Sequence, residues 1–120
     1  MDYKFIKTEY LDSVSEGNPE IIREIVTIFK DQTLEIYNEM IRLFSEKKYV
    51  LLGLQAHKAK SSVAIMGMND LALMLKTFEH LAKEGKEDEL YESYMTRFKV
   101  ETDEAIIELE HLVRSMSSGN

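Results

Sequence analysis

Hydrophobic residues recur at helical spacing along most of the chain, and no segment alternates polar and apolar positions for long enough to predict a strand. Thr8 and Asn18 stand where helix caps are expected, and Pro19 suits a first helical position. Gly17, Gly67 and Gly85 follow the periodic segments as helix ends, and Asn69 is predicted to cap the fourth helix. The pattern predicts five helices, at about 8–16, 18–44, 48–66, 69–83 and 88–114, with a disordered tail at 115–120.

Three of these helices carry a clear apolar stripe that predicts which face is buried. In the order of the second, third and fifth helices, the stripes are Ile22, Ile25, Phe29, Ile36, Met40 and Leu43; Leu52, Ala56, Ala59, Val63 and Met66; Leu90, Tyr94, Phe98, Ala105, Leu109 and Leu112. Four long helices with short connections are typical of an antiparallel up-down-up-down four-helix bundle. We therefore predict an all-α domain over residues 1–120, with the short first helix covering one end.

Composition removes several classes of function. The chain has 120 residues and no Cys, so disulfides, thiolate nucleophiles and Cys-based zinc sites are excluded. A net charge of −7 argues against binding to nucleic acid or to an anionic membrane. The N-terminus has no apolar signal region and no run reaches membrane length, so we expect a soluble, cytoplasmic protein. Met1 opens directly into the domain, which suggests a free-standing protein, and we expect a monomer.

The charge is distributed unevenly along the chain. The segment from Lys47 to Asn69 contains four Lys and no Asp or Glu, although acids outnumber bases by 22 to 15 in the whole chain. From Glu84 to Glu110 there are ten acids and three bases. A solvated helix face explains most runs of this kind, but a segment without acids in so acidic a chain also suits an acidic partner.

His57 lies in the acid-free segment, one residue past Ala56 of the buried stripe. It should therefore lie about 100° round the helix from that stripe, at the edge of the core and partly in water. Its predicted neighbours on the helix surface are Gly53, Lys60, Ser61 and Ala64. Three of these four are small, so a partner could approach the imidazole closely.

The segment resembles the histidine-containing phosphotransfer (HPt) domain, a family with the pattern H-x-L-K-G-[SA]-[SA], then Gly and Leu 10 and 14 residues after the His. Here the stretch from His57 reads HKAKSSV, with Gly67 and Leu71 at those two positions. Helix lengths and order also match, so the resemblance covers most of the chain. Two positions depart from the pattern: the usual Leu is Ala59 and the usual Gly is Ser61.

This resemblance implies a phosphorelay intermediate. His57 would accept a phosphoryl group from an aspartyl phosphate on a receiver domain and pass it to another receiver Asp. Lys60 would supply positive charge and Ser61 a hydroxyl, while Glu79, where the family often has Gln or Glu, would orient the ring. A hairpin about the Gly67 turn independently puts residues 78 and 79 level with His57.

The resemblance also implies which partners and cofactors to expect. The partners would be receiver domains of a hybrid histidine kinase, a response regulator or both. They would dock through Gly53, Leu54, Lys58, Ser61 and Ala64. The domain would be a carrier without kinase activity or cofactor of its own, and Mg²⁺ would be held by the receiver. No nucleotide-binding motif is present in the sequence.

Two other interpretations remain open at this stage. An HPt-like scaffold could dock a signalling partner without carrying phosphate, although it would have no need of His57. A di-metal bundle is suggested by the Glu-x-x-His pair of Glu108 and His111, but a second such pair is missing. His80 and His111 are interpreted as surface residues.

Overall fold

The computed structural model describes residues 3–118, and within that range all of the regular structure is helical. The all-helical prediction is therefore confirmed. The α-helices are α1 (Glu9–Ser15), α2 (Pro19–Ser45), α3 (Tyr49–Ile65), α4 (Asn69–Glu84) and α5 (Tyr91–Ser118), with a 3₁₀ turn at Asp88–Leu90. Among these helices, none has both the length and the apolarity needed to cross a membrane.

The helix ends follow local signals in most places. The Asn18 side chain accepts a hydrogen bond from the Glu20 N–H at 2.9 Å, with Pro19 as the first helical residue, as predicted. Thr8 precedes α1, but its hydroxyl donates to the Asp12 carboxylate instead of capping the backbone.

Two boundary predictions are wrong. Asn69 is the first residue of α4 and not its cap, because the turn closes through the Met68 N–H, which donates to the Val63 carbonyl at 3.1 Å. The second error is at the C-terminus, where α5 continues to Ser118 instead of ending near Arg114. Leu112 and Met116 extend its apolar face and pack against the core. Residues 119–120 of the predicted disordered tail lie outside the described residues.

The helices pack as a bundle around one core. α3 packs chiefly on α4, α2 contacts both α3 and α5, and α1 covers part of α2. All five stripe residues of α3 are buried, as the spacing predicts. The predicted stripe of α2 is buried except at Ile25, which is partly exposed. In the stripe predicted for the fifth helix, Tyr94 and Leu112 of α5 are partly exposed, and so is Leu90, which lies in the preceding 3₁₀ turn.

The carboxylate of Glu108 holds the segment before α1 against α5. Glu108 of α5 accepts hydrogen bonds from the backbone N–H groups of Lys4, Phe5 and Ile6 at 3.1, 3.0 and 3.1 Å. Next to it, the Tyr3 hydroxyl lies 2.9 Å from His111 Nδ1. The pair that suggested a metal site thus holds the N-terminal segment, and His111 is partly buried and not fully on the surface.

Gly67 brings this segment against the turn between α3 and α4. Its φ of +74° is the left-handed conformation that the sequence predicts. A Cβ atom at Gly67 would also lie 2.5 Å from Lys7 Cβ. The contact is closed by the Lys7 N–H, which donates to the Met66 carbonyl at 2.9 Å. Glycine is therefore needed here both for the turn and for the close approach.

We expect Glu108→Ala to release the N-terminal segment. Three backbone N–H groups would lose a charged acceptor, so the free energy of unfolding should fall by about 1–3 kcal/mol. Hydrogen exchange at Lys4, Phe5 and Ile6 should accelerate, measured by NMR. Glu104→Ala, at an exposed position one turn earlier, is the matched control. Unchanged exchange at those three amides in Glu108→Ala would contradict this assignment.

Candidate functional site

His57 lies on the outer edge of α3, as its position beside the buried stripe predicts. The preceding residue, Ala56, is fully buried, whereas 54% of the His57 side chain is exposed. Because Ala56 is packed in the core, the backbone at His57 is fixed in position. The imidazole ring is nevertheless exposed on its outer side. This combination suits a side chain that must meet a partner in a defined orientation.

Glu79 of α4 lies beneath the ring. Both of its carboxylate oxygens are near His57 Nδ1, with Oε1 at 3.1 Å and Oε2 at 3.0 Å. The Glu79 side chain is only 7% exposed, so the carboxylate is a fixed part of the α3–α4 interface. An ionised carboxylate only accepts hydrogen bonds, so Nδ1 carries the proton as donor. The other ring nitrogen, Nε2, has no hydrogen-bond partner among residues 3–118.

Two lysines complete the environment of this carboxylate. Lys60 Nζ donates to Oε1 at 3.1 Å, and Lys83 Nζ donates to Oε2 at 2.7 Å. Lys60 comes from α3, one turn after His57, whereas Lys83 comes from α4, one turn after Glu79. Every buried side-chain N or O atom in residues 3–118 has a hydrogen-bond partner, so the buried part of the site is already fully paired.

These contacts set the ionisation of Glu79. Burial alone would raise its pKa, but hydrogen bonds from Lys83, Lys60 and His57 outweigh burial and lower the pKa to about 2. The carboxylate is therefore negatively charged throughout the neutral range. It can hold the proton of His57 Nδ1 and can stabilise positive charge that develops on the ring.

The structure corrects the prediction that Gly53 forms part of a docking surface. Gly53 is buried against α4, and a Cβ atom there would lie 2.8 Å from Lys83 Cγ and 3.0 Å from the Glu79 carbonyl oxygen. Its missing side chain allows α3 and α4 to approach closely. Gly53 thus contributes to the site indirectly, because the absence of a side chain leaves room for the Lys83 side chain beside α3.

The other four predicted docking residues are exposed: Leu54, Lys58, Ser61 and Ala64. Much of the outer face of α3 is apolar, and its exposed large side chains are Val50, Leu51, Leu54 and Ile65. Ser61 and Lys58 also line a groove between α2 and α3 that His57 borders. The structure thus brings His57, Lys60 and Ser61 to one region of the surface, with the buried Glu79 under His57 and Lys60.

The surface around His57 is not free of acidic residues, so the prediction of an acid-free docking face is wrong. Glu35 and Glu39 of α2 line the same groove as His57 and Lys58. Glu39 is already paired with Arg42, whereas no ion pair of Glu35 is found among residues 3–118. Local sequence could not reveal this, because the two acids come from the neighbouring helix.

Lys83 is the site residue that sequence analysis missed. The i,i+4 spacing of Glu79 and Lys83 was a usable signal, since such pairs meet on a helix surface. His80, by contrast, is exposed, as expected of a surface residue. In residues 3–118 no group of three or more His, Asp or Glu is arranged to hold a metal ion.

Comparison of the chain with protein-family models, curated proteins and solved structures gave no match in any of the three. Functional inference therefore depends on the HPt-like residue pattern and on the geometry around His57.

We expect the low pKa of Glu79 to appear in the pH dependence of stability. The folded-state pKa, about 2, is below the ordinary value of 4.5, so the contribution is present above pH 4.5 and lost as pH falls toward 2. Its full size is about 3 kcal/mol by linkage. Urea unfolding of Glu79→Gln from pH 7 to pH 2 should show lower stability at pH 7 and a weaker decline in acid. Glu104→Gln is the exposed control, and an acid decline in Glu79→Gln as steep as in the wild type would contradict the assignment.

Proposed function

We propose that the protein is a phosphorelay carrier of the HPt type and that His57 is its phosphoacceptor. One observation carries this proposal: the buried carboxylate of Glu79 binds Nδ1 of a half-exposed imidazole, and within residues 3–118 Nε2 has no hydrogen-bond partner. A histidine held in this tautomer presents a lone pair on Nε2 as a nucleophile. The HPt-like pattern around His57 supports the same role.

In the proposed reaction, the Nε2 lone pair attacks the phosphorus atom of an aspartyl phosphate on a receiver. A P–N bond forms, the P–O bond to the aspartate breaks, and its electron pair returns to the aspartate carboxylate. The ring keeps its Nδ1 proton and gains positive charge, which the ionised Glu79 stabilises. Transfer to a second receiver is the reverse step with another aspartate as acceptor.

Lys60 and Ser61 supply the supporting groups in this proposal. Lys60 lies one helical turn after His57, so its ammonium group can reach phosphoryl oxygens on Nε2. Ser61 is exposed on the same side and offers a hydroxyl in place of the usual Gly. Mg²⁺ and the electrophile belong to the receiver, so the carrier needs neither ATP nor a cofactor.

The proposed chain path is an antiparallel up-down-up-down four-helix bundle formed by α2 to α5. Short connections and the packing of each long helix on its sequence neighbour support it. The same proposal makes the protein a cytoplasmic monomer that acts without binding nucleic acid or a membrane.

Receiver domains would dock on the outer face of α3. Leu54 offers an apolar anchor, Ser61 and Ala64 leave room beside His57, and Lys58 faces the acidic pocket expected on a receiver. Glu35 and Glu39 flank this surface on α2, so the receiver should place neutral or basic residues there. A relay needs rapid release, which favours a small interface.

We predict that His57 alone becomes phosphorylated by a competent receiver. The labelled bond should be lost in acid and survive base, as expected of a P–N bond. The experiment follows transfer of label from a panel of phosphorylated receivers to wild type, His57→Gln, His80→Gln and His111→Gln. Label on His57→Gln would refute the assignment, and a receiver that binds without labelling any histidine would favour the scaffold function instead.

We predict that Ser61→Trp blocks receiver binding by bulk, lowering affinity at least about tenfold, or 1.4 kcal/mol. Thr96→Trp, an exposed position on α5, should bind normally.

Lys58→Glu should reduce the association rate of the receiver more than it changes the dissociation rate, and the reduction should be smaller at high salt. Stopped-flow binding measures the rates. NMR shifts on receiver binding that are confined to residues 84–110 would contradict docking on the outer face of α3.

A further inference from the structure

Glu79 has more donors than one carboxylate needs for pairing. His57 Nδ1 lies within hydrogen-bond distance of both oxygens, Lys60 donates to Oε1, and Lys83 donates to Oε2. If either ammonium group left, each oxygen would still have one donor. The buried charge would therefore stay paired, which avoids the cost of an isolated buried ion.

Helix position decides which lysine is free to move. The side chains of Lys60 and Lys83 are 28% and 39% exposed, so both reach solvent. Lys60 shares α3 with His57 and lies one turn away, within reach of a group on Nε2. Lys83 holds Glu79 at the shorter distance, 2.7 Å against 3.1 Å, and its stem passes beside Gly53.

The net charge of the cluster formed by His57, Lys60, Glu79 and Lys83 also favours a role for Lys83 in the phosphorylated state. With neutral His57, the two lysines and Glu79 sum to +1. A phosphoryl dianion adds −2 and the ring, which keeps its Nδ1 proton, adds +1, so the phosphorylated cluster is neutral. Without Lys83 the cluster would change from neutral to −1, and a partly buried net charge is disfavoured.

We propose that Lys83 is a positioning residue: it stays on Glu79 beside His57 Nδ1 when Lys60 turns from Glu79 to the phosphoryl group on His57. Lys83 thereby allows Lys60 to change partner without leaving the His57 ring as the only donor to the buried carboxylate. This inference rests on the proposed function of His57. It adds a residue outside the HPt-like pattern and a specific exchange of partners on phosphorylation.

A double-mutant cycle tests the coupling between the two lysines. Lys60→Met and Lys83→Met should each slow transfer from a receiver by about tenfold, the effect expected of one charge-assisted hydrogen bond. The double variant should be little slower than either single variant, because Lys60 cannot leave Glu79 once Lys83 is gone. Additive losses, about a hundredfold together, would overturn the proposal. So would full activity of Lys83→Met.

Two further variants separate positioning from general stability. Lys83→Arg should restore most of the rate, because a guanidinium can also pair with Glu79. Lys76→Met makes the same change at an exposed site on α4 and should transfer at the wild-type rate. A Lys83→Arg variant as slow as Lys83→Met would overturn the proposal, as would equal slowing by Lys76→Met. Circular dichroism melting of each variant shows that rates are compared between folded proteins.

Direct observation of the exchange needs no receiver. Phosphoramidate can phosphorylate His57 chemically: Nε2 bonds to phosphorus, the P–N bond of the reagent breaks, and ammonia leaves. The ¹⁵N signal of Lys60 Nζ should then shift while that of Lys83 Nζ stays close to its original position. A shift of Lys83 with Lys60 unchanged would overturn the inference. A wild-type protein that no receiver labels would overturn only the proposed function, so the two failures are distinguishable.

Discussion

Burying the ionised carboxylate of Glu79 between α3 and α4 is costly unless donors surround both of its oxygens. The chain meets this requirement with His57 and Lys60 from one helix and Lys83 from the other. These contacts connect the two helices through a charged group in addition to the apolar core that both helices share. The orientation of the imidazole is thus a consequence of how the bundle satisfies one buried charge.

Close approach of the two helices makes these contacts feasible. Gly53 has no side chain where Lys83 and the α4 backbone pass, so the helices come near enough for their polar groups to meet. Ala56 and Ala59 of α3 are also small and fully buried, so the inner face of α3 carries little bulk at these positions. Gly53 itself contributes to the site through backbone geometry, because it is buried where Lys83 passes.

The far end of the bundle uses the same principle for a structural purpose. Glu108 collects three backbone N–H groups of the N-terminal segment, as Glu79 collects three side-chain donors. In each place one carboxylate joins parts of the chain that are distant in sequence. The two carboxylates differ in exposure, since Glu79 is buried and Glu108 is partly exposed. The charged donors around Glu79 outweigh the effect of its burial and lower its pKa.

Periodicity in the sequence was sufficient to predict the helical class, most helix bounds and the exposure of His57, because these depend on local spacing and on burial of one helix face. It also put Glu79 level with His57, since a short turn at Gly67 sets the register of α3 and α4. The i,i+4 spacing of Lys83 from Glu79 was a local signal for their ion pair. The burial of Gly53 against Lys83 and the presence of Glu35 beside His57 were decided by tertiary packing. The distance between α3 and α4, and the rotation of α2 that puts Glu35 beside His57, depend on side chains that meet only in the folded chain. The spacing of residues along one helix carries no information about either quantity.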